Sequence, residues 1–230
     1  MKVFCLALVT ILLATIIYGQ VADIQSLEKR ANAGDVFAQW MLGYSYSIGD
    51  GVEQNYKEAK RLYLMAAEND FAPAQISLAE MYRNGNGVDQ SYKEAAKWYR
   101  LAVDKEYSDA QYNLGLMYCK GQGVPQNYRE GARLYRLAAE QNMAEAQNNL
   151  AILYGVGKGV VQDFEEAYFW GLLAAANSND GAIETREIIA ETLTMDQRSQ
   201  IQAKAKKWLK EYDERIKEQI HKAFENNKKE

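Results

Sequence analysis

Four stretches of this 230-residue chain carry residue types whose spacing could do chemistry. Ser26-x-x-Lys29 has the spacing at which a lysine amine activates a serine hydroxyl for acyl transfer. Neither a Ser-Asp-Asn nor a Lys-Thr-Gly accompanies it, so the pair lacks the partners that such a nucleophile works with. Gly155-Val-Gly157-Lys-Gly159 has the look of a loop that cradles phosphate, but no Lys-Ser/Thr follows, and turn geometry accounts for the glycines. Cys119 could be a reactive thiol; only Lys120 stands beside it, and without a histidine or second cysteine an inert thiol is expected. His221 is the only histidine. One histidine rules out a multi-histidine metal centre and leaves imidazole acid–base catalysis without support. The sequence therefore predicts no catalytic residue, no metal and no cofactor.

The elements that carry these residues are repeats. Ala38…Leu42-Gly43…Tyr46…Gly49-Asp-Gly51-Val52 returns as Ala74…Leu78-Ala79…Tyr82…Gly85-Asn-Gly87-Val88. It returns again from Ala110 to Val124 and from Ala146 to Val160, each step being 36 residues without insertion. A fixed period of this size is the signature of a solenoid. Within each period, Ala38, Leu42 and Tyr46 recur at fourfold spacing and mark a first helix. The small residue at 43, 79, 115 and 151 lets another helix approach. Gly49 ends the helix in a left-handed C′ position, and Gly51 permits a tight turn. Asn55-x-x-Glu58, Ser91-x-x-Glu94, Asn127-x-x-Glu130 and Asp163-x-x-Glu166 resemble capping boxes that open a second helix. Tyr56, Ala59, Leu62, Tyr63, Ala66 and Ala67 form its buried side. The recurring Gln39, Gln75, Gln111 and Gln147 are expected to bond a turn backbone.

The expected organisation is a signal peptide over residues 1–19, a capping helix over 20–33 and four repeats over 34–69, 70–105, 106–141 and 142–178. Capping helices and a polar tail follow over 179–230. The signal rests on Lys2 and the short apolar run that follows it. Its removal leaves Cys119 as the lone cysteine, so no internal disulfide is possible. Residues 180–193 read as a degenerate helix with Ile183, Ile188, Ile189 and Leu193 apolar, and with Arg186 where a leucine belongs. Thr194-Met-Asp-Gln197 is a further capping box, opening a helix that carries Ile201, Ala205, Trp208, Leu209, Tyr212, Ile216, Ile220 and Phe224. The apolar stripe Tyr212, Ile216, Ile220 and Phe224 could serve as a dimer or partner face. The net charge is −4, with the basic excess confined to the last 35 residues. An acidic body argues against a nucleic-acid partner.

The motif Ala-x-x-x-Leu-Gly-x-x-Tyr-x-x-Gly-x-Gly-Val, followed by a capped helix with Ala-x-x-Trp/Leu-Tyr-x-x-Ala-Ala, resembles the Sel-one-like repeat family, a cousin of the tetratricopeptide repeats. The resemblance covers about residues 34–178. It implies an all-α, right-handed α-solenoid of helix-turn-helix repeats that holds proteins or peptides and is not an enzyme, in an exported bacterial chain. Cysteine-rich members are linked to penicillin binding, but this chain has none of their repeated cysteine pairs. By likeness to tetratricopeptide geometry, the first helix of each repeat lines a concave groove. Phe37, Trp40, Tyr44, Ile76, Glu80, Arg83, Asp109, Tyr112, Leu116, Lys120, Asn148 and Ile152 are then the partner-binding candidates. Phe37, Trp40 and Tyr44 could equally be packing residues. The alternatives are an envelope-binding or envelope-regulating protein and, from another class, a β-lactam or peptidoglycan hydrolase. No stable membrane insertion is expected once the signal is removed.

Overall fold

The computed structural model describes residues 24–177 and 180–227; the expected signal peptide lies outside the described residues. The chain is an all-α solenoid with capping helices. In order the helices are α1 (Ile24–Asn32), α2 (Val36–Ile48), α3 (Tyr56–Glu68), α4 (Ala72–Asn84), α5 (Tyr92–Val103) and α6 (Ser108–Lys120). They continue as α7 (Tyr128–Glu140), α8 (Ala144–Val156), α9 (Phe164–Ala176), α10 (Asp180–Ala190) and α11 (Met195–Asn227). Two compact units divide these residues. An N-terminal unit holds 24–110 with 122–124, and a C-terminal unit holds 111–121 with everything from 125 onward.

The second helices begin as the sequence predicts. The Asn55 side chain accepts from the N–H groups of Lys57 and Glu58, and Ser91, Asn127 and Asp163 cap α5, α7 and α9 in the same way. The reciprocal half of the expected capping box does not form. The backbone N–H of each cap donates instead to the carbonyl of the recurring tyrosine in the preceding helix: Asn55 to Tyr46, Ser91 to Tyr82, Asn127 to Tyr118, and Asp163 to Tyr154. The freed glutamates take cationic neighbours one turn on, Glu58 with Arg61, Glu94 with Lys97 and Glu130 with Arg133. Only Thr194 and Gln197, at the start of α11, complete both halves of the box.

The two glycines of each connection have separate duties. Gly49, Gly85, Gly121 and Gly157 close the first helices in the left-handed region. The next glycine in each repeat meets the start of an earlier helix. A Cβ on Gly123 would lie 2.3 Å from the backbone carbon and oxygen of Tyr92, and one on Gly159 would lie at the same distance from those of Tyr128. The second glycine therefore lets one repeat settle on the one before it.

Small-against-large packing fills each unit. A Cβ on Gly43 would come within 2.8 Å of the Tyr63 ring, and one on Gly115 within 2.9 Å of Tyr135. In the C-terminal unit, two departures from the repeat explain each other. Gly171 stands where other repeats carry tyrosine, and Arg186 stands where they carry leucine; a Cβ on Gly171 would lie 3.4 Å from that of Arg186. Losing the tyrosine ring lets the α10 backbone settle against α9. Of the apolar residues expected to close the stack, Ile189 and Leu193 are buried, whereas Ile183 and Ile188 face solvent. Helix α11 lies on α9 through its first half. Trp208 stacks on Tyr212 and meets Trp170 edge-on. Tyr212 donates to the Gln141 carbonyl at 2.9 Å.

The recurring glutamines are structural anchors. Gln39 donates to the Ala31 carbonyl and Gln147 to that of Ala139, each at 3.1 Å, satisfying a carbonyl at the end of the preceding helix. Gln75 makes the same contact with Ala67 at 3.4 Å. Gln111 instead accepts from Gln141 at 2.8 Å.

Candidate partner-binding face

In the N-terminal unit the candidate face begins with a well-held helix end. Asp35 caps α2 by accepting from the Ala38 N–H at 3.0 Å and pairs with Arg30 at 2.7 Å. Desolvation pushes the Asp35 carboxyl up, but these two partners outweigh it and hold the group below its ordinary value. Along α2, Phe37 and Trp40 turn toward the second repeat. Their rings meet each other and Phe71 at 5.8–6.5 Å between centroids. The Trp40 indole N–H donates to the Ser77 hydroxyl at 3.1 Å, and that hydroxyl donates on to the Pro73 carbonyl. Both rings are half-buried, so they pin α2 to α4. Tyr44 is different: 47% of its surface is open to solvent.

The same face continues on α4. Ile76 and Arg83 are half-buried, and Glu80 and Asp109 keep solvent contact. Loss of water around Glu80 raises its carboxyl; Arg83 opposes the rise and Asp109 adds to it. Two tyrosines of the second helices reach this region. Tyr63 donates to the Ser47 hydroxyl at 3.3 Å. The Tyr99 hydroxyl is buried and has no hydrogen-bond partner. Burial drives its ionisation far above the usual range, and Arg83, Glu80 and Asp109 are the charges that act on it.

In the C-terminal unit, Tyr112 is half-buried with its ring 5.8 Å from Tyr135. Leu116 and Asn148 are half-buried and Lys120 is exposed. Ile152 and Val156 present an apolar edge, at 41% and 55% exposure. Cys119 sits inside this face. Burial raises its thiol, only partly offset by a hydrogen bond with Tyr135, which leaves a poor nucleophile at neutral pH.

The residues with possible chemistry sit apart from one another. Ser26 and Lys29 are both exposed on α1, and His221 is exposed on α11. The glycine-rich stretch from 155 is a turn whose Gly157 and Lys158 N–H groups both donate to the Leu153 carbonyl, so they are not aimed at an anion. Among the described residues no three His, Cys, Asp or Glu side chains gather to hold a metal ion. Among them, too, no helix is long and apolar enough to cross a membrane.

Sequence reasoning placed Phe37 and Trp40 on this face but missed Phe71 and Ser77, which engage them. A signal was present: Ser77 stands among Met41, Asn113 and Asn149 at the equivalent positions. The orphan Tyr99 hydroxyl had a signal too: Arg83 stands where the other repeats carry Ser47 and Cys119, the neighbours of Tyr63 and Tyr135.

Four consecutive segments, residues 36–71, 72–107, 108–143 and 144–179, match the model of the Sel1 repeat. Two bacterial structures resemble the chain over most of its length. One is c5321 of uropathogenic Escherichia coli, a protective antigen displaying an SLR fold. It is 30% identical, with a TM-score of 0.76, over 86% of this chain and 43% of that one. The other is a Sel1 repeat protein of Oxalobacter formigenes, 28% identical with a TM-score of 0.68, over 80% of this chain and 78% of that one. The chain thus spans less than half the length of the Escherichia coli protein. No curated protein matches it.

Proposed function

The chain belongs to the Sel1 repeat family, whose members are generally protein-interaction scaffolds, and from that premise we propose that it is an exported, non-enzymatic scaffold. In this reading it holds a protein or peptide segment against the outward faces of the first helices of its repeats. One observation carries the proposal. Each unit, taken by itself, keeps a large side chain of a first helix open to solvent, Tyr44 in one and Ile152 in the other, while that helix is held by a buried glutamine and a closing glycine. A preformed scaffold of this kind loses little conformational freedom on binding. Export is supported by the composition of residues 1–19. Phe37, Trp40 and Tyr112 contribute by shaping the face, since their rings are already engaged with neighbours.

Capture experiments with the native chain and a Tyr44→Ala/Ile152→Ala variant test the reading. A partner retained by the native chain and lost by a folded variant is the expected result. Equal retention by both places binding elsewhere and overturns it.

A further inference from the structure

Lys60 breaks the repeat. The same position holds Ala96, Ala132 and Tyr168 in the later repeats, and all three are buried. In the first repeat a cation stands there instead, half-buried on α3. Its ammonium lies 5.4 Å from the centre of the Tyr82 ring and pairs with no carboxylate among the described residues. A lysine drawn part-way out of water ordinarily brings a carboxylate with it, because its charge is costly to desolvate. An unpaired ammonium where the repeat elsewhere buries alanine therefore points to an anion that comes from outside the chain.

Lys60 lines an open recess of about 650 Å³ within the N-terminal unit, a volume in the range of small-ligand sites. Tyr82, near the end of α4, and Gly87, Val88, Asp89 and Ser91, in the connection to α5, complete the lining. That connection is fixed. The Ser91 N–H donates to the Tyr82 carbonyl at 2.8 Å, and a Cβ on Gly87 would lie 2.2 Å from the Cβ of Tyr56. The Ser91 hydroxyl accepts from the Glu94 N–H at 3.3 Å and keeps its own hydrogen to donate. Asp89 is exposed and forms no ion pair among the described residues. The recess thus offers two donors, the Lys60 ammonium and the Ser91 hydroxyl, and one acceptor, the Asp89 carboxylate. The two charges also vanish together: where Lys60 becomes Ala96 and Ala132, Asp89 becomes Pro125 and Val161. A phosphate would meet the like charge of Asp89. A carboxylate with an N–H on the adjacent carbon satisfies both charges, and Val88 gives its side chain an apolar wall.

We propose that this recess binds an α-carboxylate with its neighbouring N–H, the group presented by a free amino acid and by the last residue of a peptide. Lys60 and Ser91 donate to the carboxylate, and the ligand N–H donates to Asp89. The site shares no residue with the face proposed above, so each reading stands or falls without the other.

The test is a titration of the isotope-labelled full chain with L-leucine and, separately, with N-acetyl-L-leucine, read by nuclear magnetic resonance. N-acetyl-L-leucinamide, which lacks the carboxylate, is the control. Saturable shifts at residues 60, 82, 88, 89 and 91 are expected with at least one of the two acids. Tighter binding of leucine identifies a free amino acid as the ligand, and tighter binding of the acetylated form identifies a peptide end. The amide is expected to bind about tenfold more weakly, as befits the loss of a charge-assisted hydrogen bond. Lys60→Ala installs the residue of the second and third repeats, so it is expected to weaken binding about tenfold without lowering the melting temperature. Lys60→Gln keeps the alkyl stem and is expected to weaken it as much, which separates the charge from the packing. Asp89→Asn is expected to weaken leucine binding severalfold. No saturable shift at these residues, equal response to the acids and the amide, or binding indifferent to both Lys60 variants overturns the assignment.

Discussion

Gly157 and Gly159 offer an internal comparison of what glycine does in this solenoid. Both sit in the left-handed region, at φ 68° and 75°. An alanine at either one meets the same backbone penalty, about 1–2 kcal/mol for an L residue held there. It also gains the same small offset from a stiffer unfolded chain. The surroundings differ. A Cβ on Gly157 would find its nearest neighbour, the Gln162 Cβ, at 3.2 Å, a contact that a slight shift relieves. A Cβ on Gly159 would sit 2.3 Å from the backbone carbon and oxygen of Tyr128 and 2.6 Å from the Arg129 nitrogen. Those atoms belong to the start of α7, and no rotamer moves them away. Forced overpacking costs about 1–3 kcal/mol, so Gly159→Ala is expected to cost about 2–5 kcal/mol where Gly157→Ala costs about 1–2 kcal/mol. The assay is urea unfolding of the full chain, followed by far-ultraviolet circular dichroism and tryptophan fluorescence. Both probes are needed because repeat arrays can lose two-state cooperativity. Unfolding free energies that agree for the two variants within about 0.5 kcal/mol would refute the claim that the second glycine is a docking residue between repeats.

Three further outcomes follow from the same geometry. Gly131→Ala drives a Cβ to 2.3 Å from the Cys119 sulfur, so it is expected to be destabilising alone and largely rescued by Cys119→Ala. A double-mutant cycle should give a coupling of at least about 0.5 kcal/mol, and additive effects would contradict the contact. Because burial raises the Cys119 thiol, labelling of the native chain by a small thiol reagent should be slow at neutral pH. The rate should climb only at pH values above those that ionise an ordinary thiol, and fast labelling at pH 7 would contradict this. Asn127→Ala removes the acceptor for the Glu130 N–H and should cost about 1 kcal/mol by the same urea measurement.

The sequence made most of the fold legible, for a physical reason: periodic spacing reports contacts that recur, and each repeat makes its contacts with neighbours at fixed offsets. Caps, C′ glycines and the glutamines all belong to this class. What stayed illegible depends on a single repeat or on backbone groups. The glutamates of the capping boxes were expected to reach back. Nothing in a motif records that the Tyr46 carbonyl, and its counterparts in later repeats, would already hold the cap N–H. The departures Gly171 and Arg186 each read as decay of the pattern, and only together do they describe one close contact between α9 and α10. The same logic governs the candidate face. Trp40 and Tyr44 have similar apolar character on one helix, yet Ser77 and Phe71 engage the first and leave the second open. Tyr99 is the converse case, a residue that the repeat requires in a place where Arg83 has replaced the small partner that serves Tyr63 and Tyr135. Function in a solenoid is therefore best sought where one repeat departs from the others, as at Lys60, because there the scaffold's own contacts no longer account for the side chain.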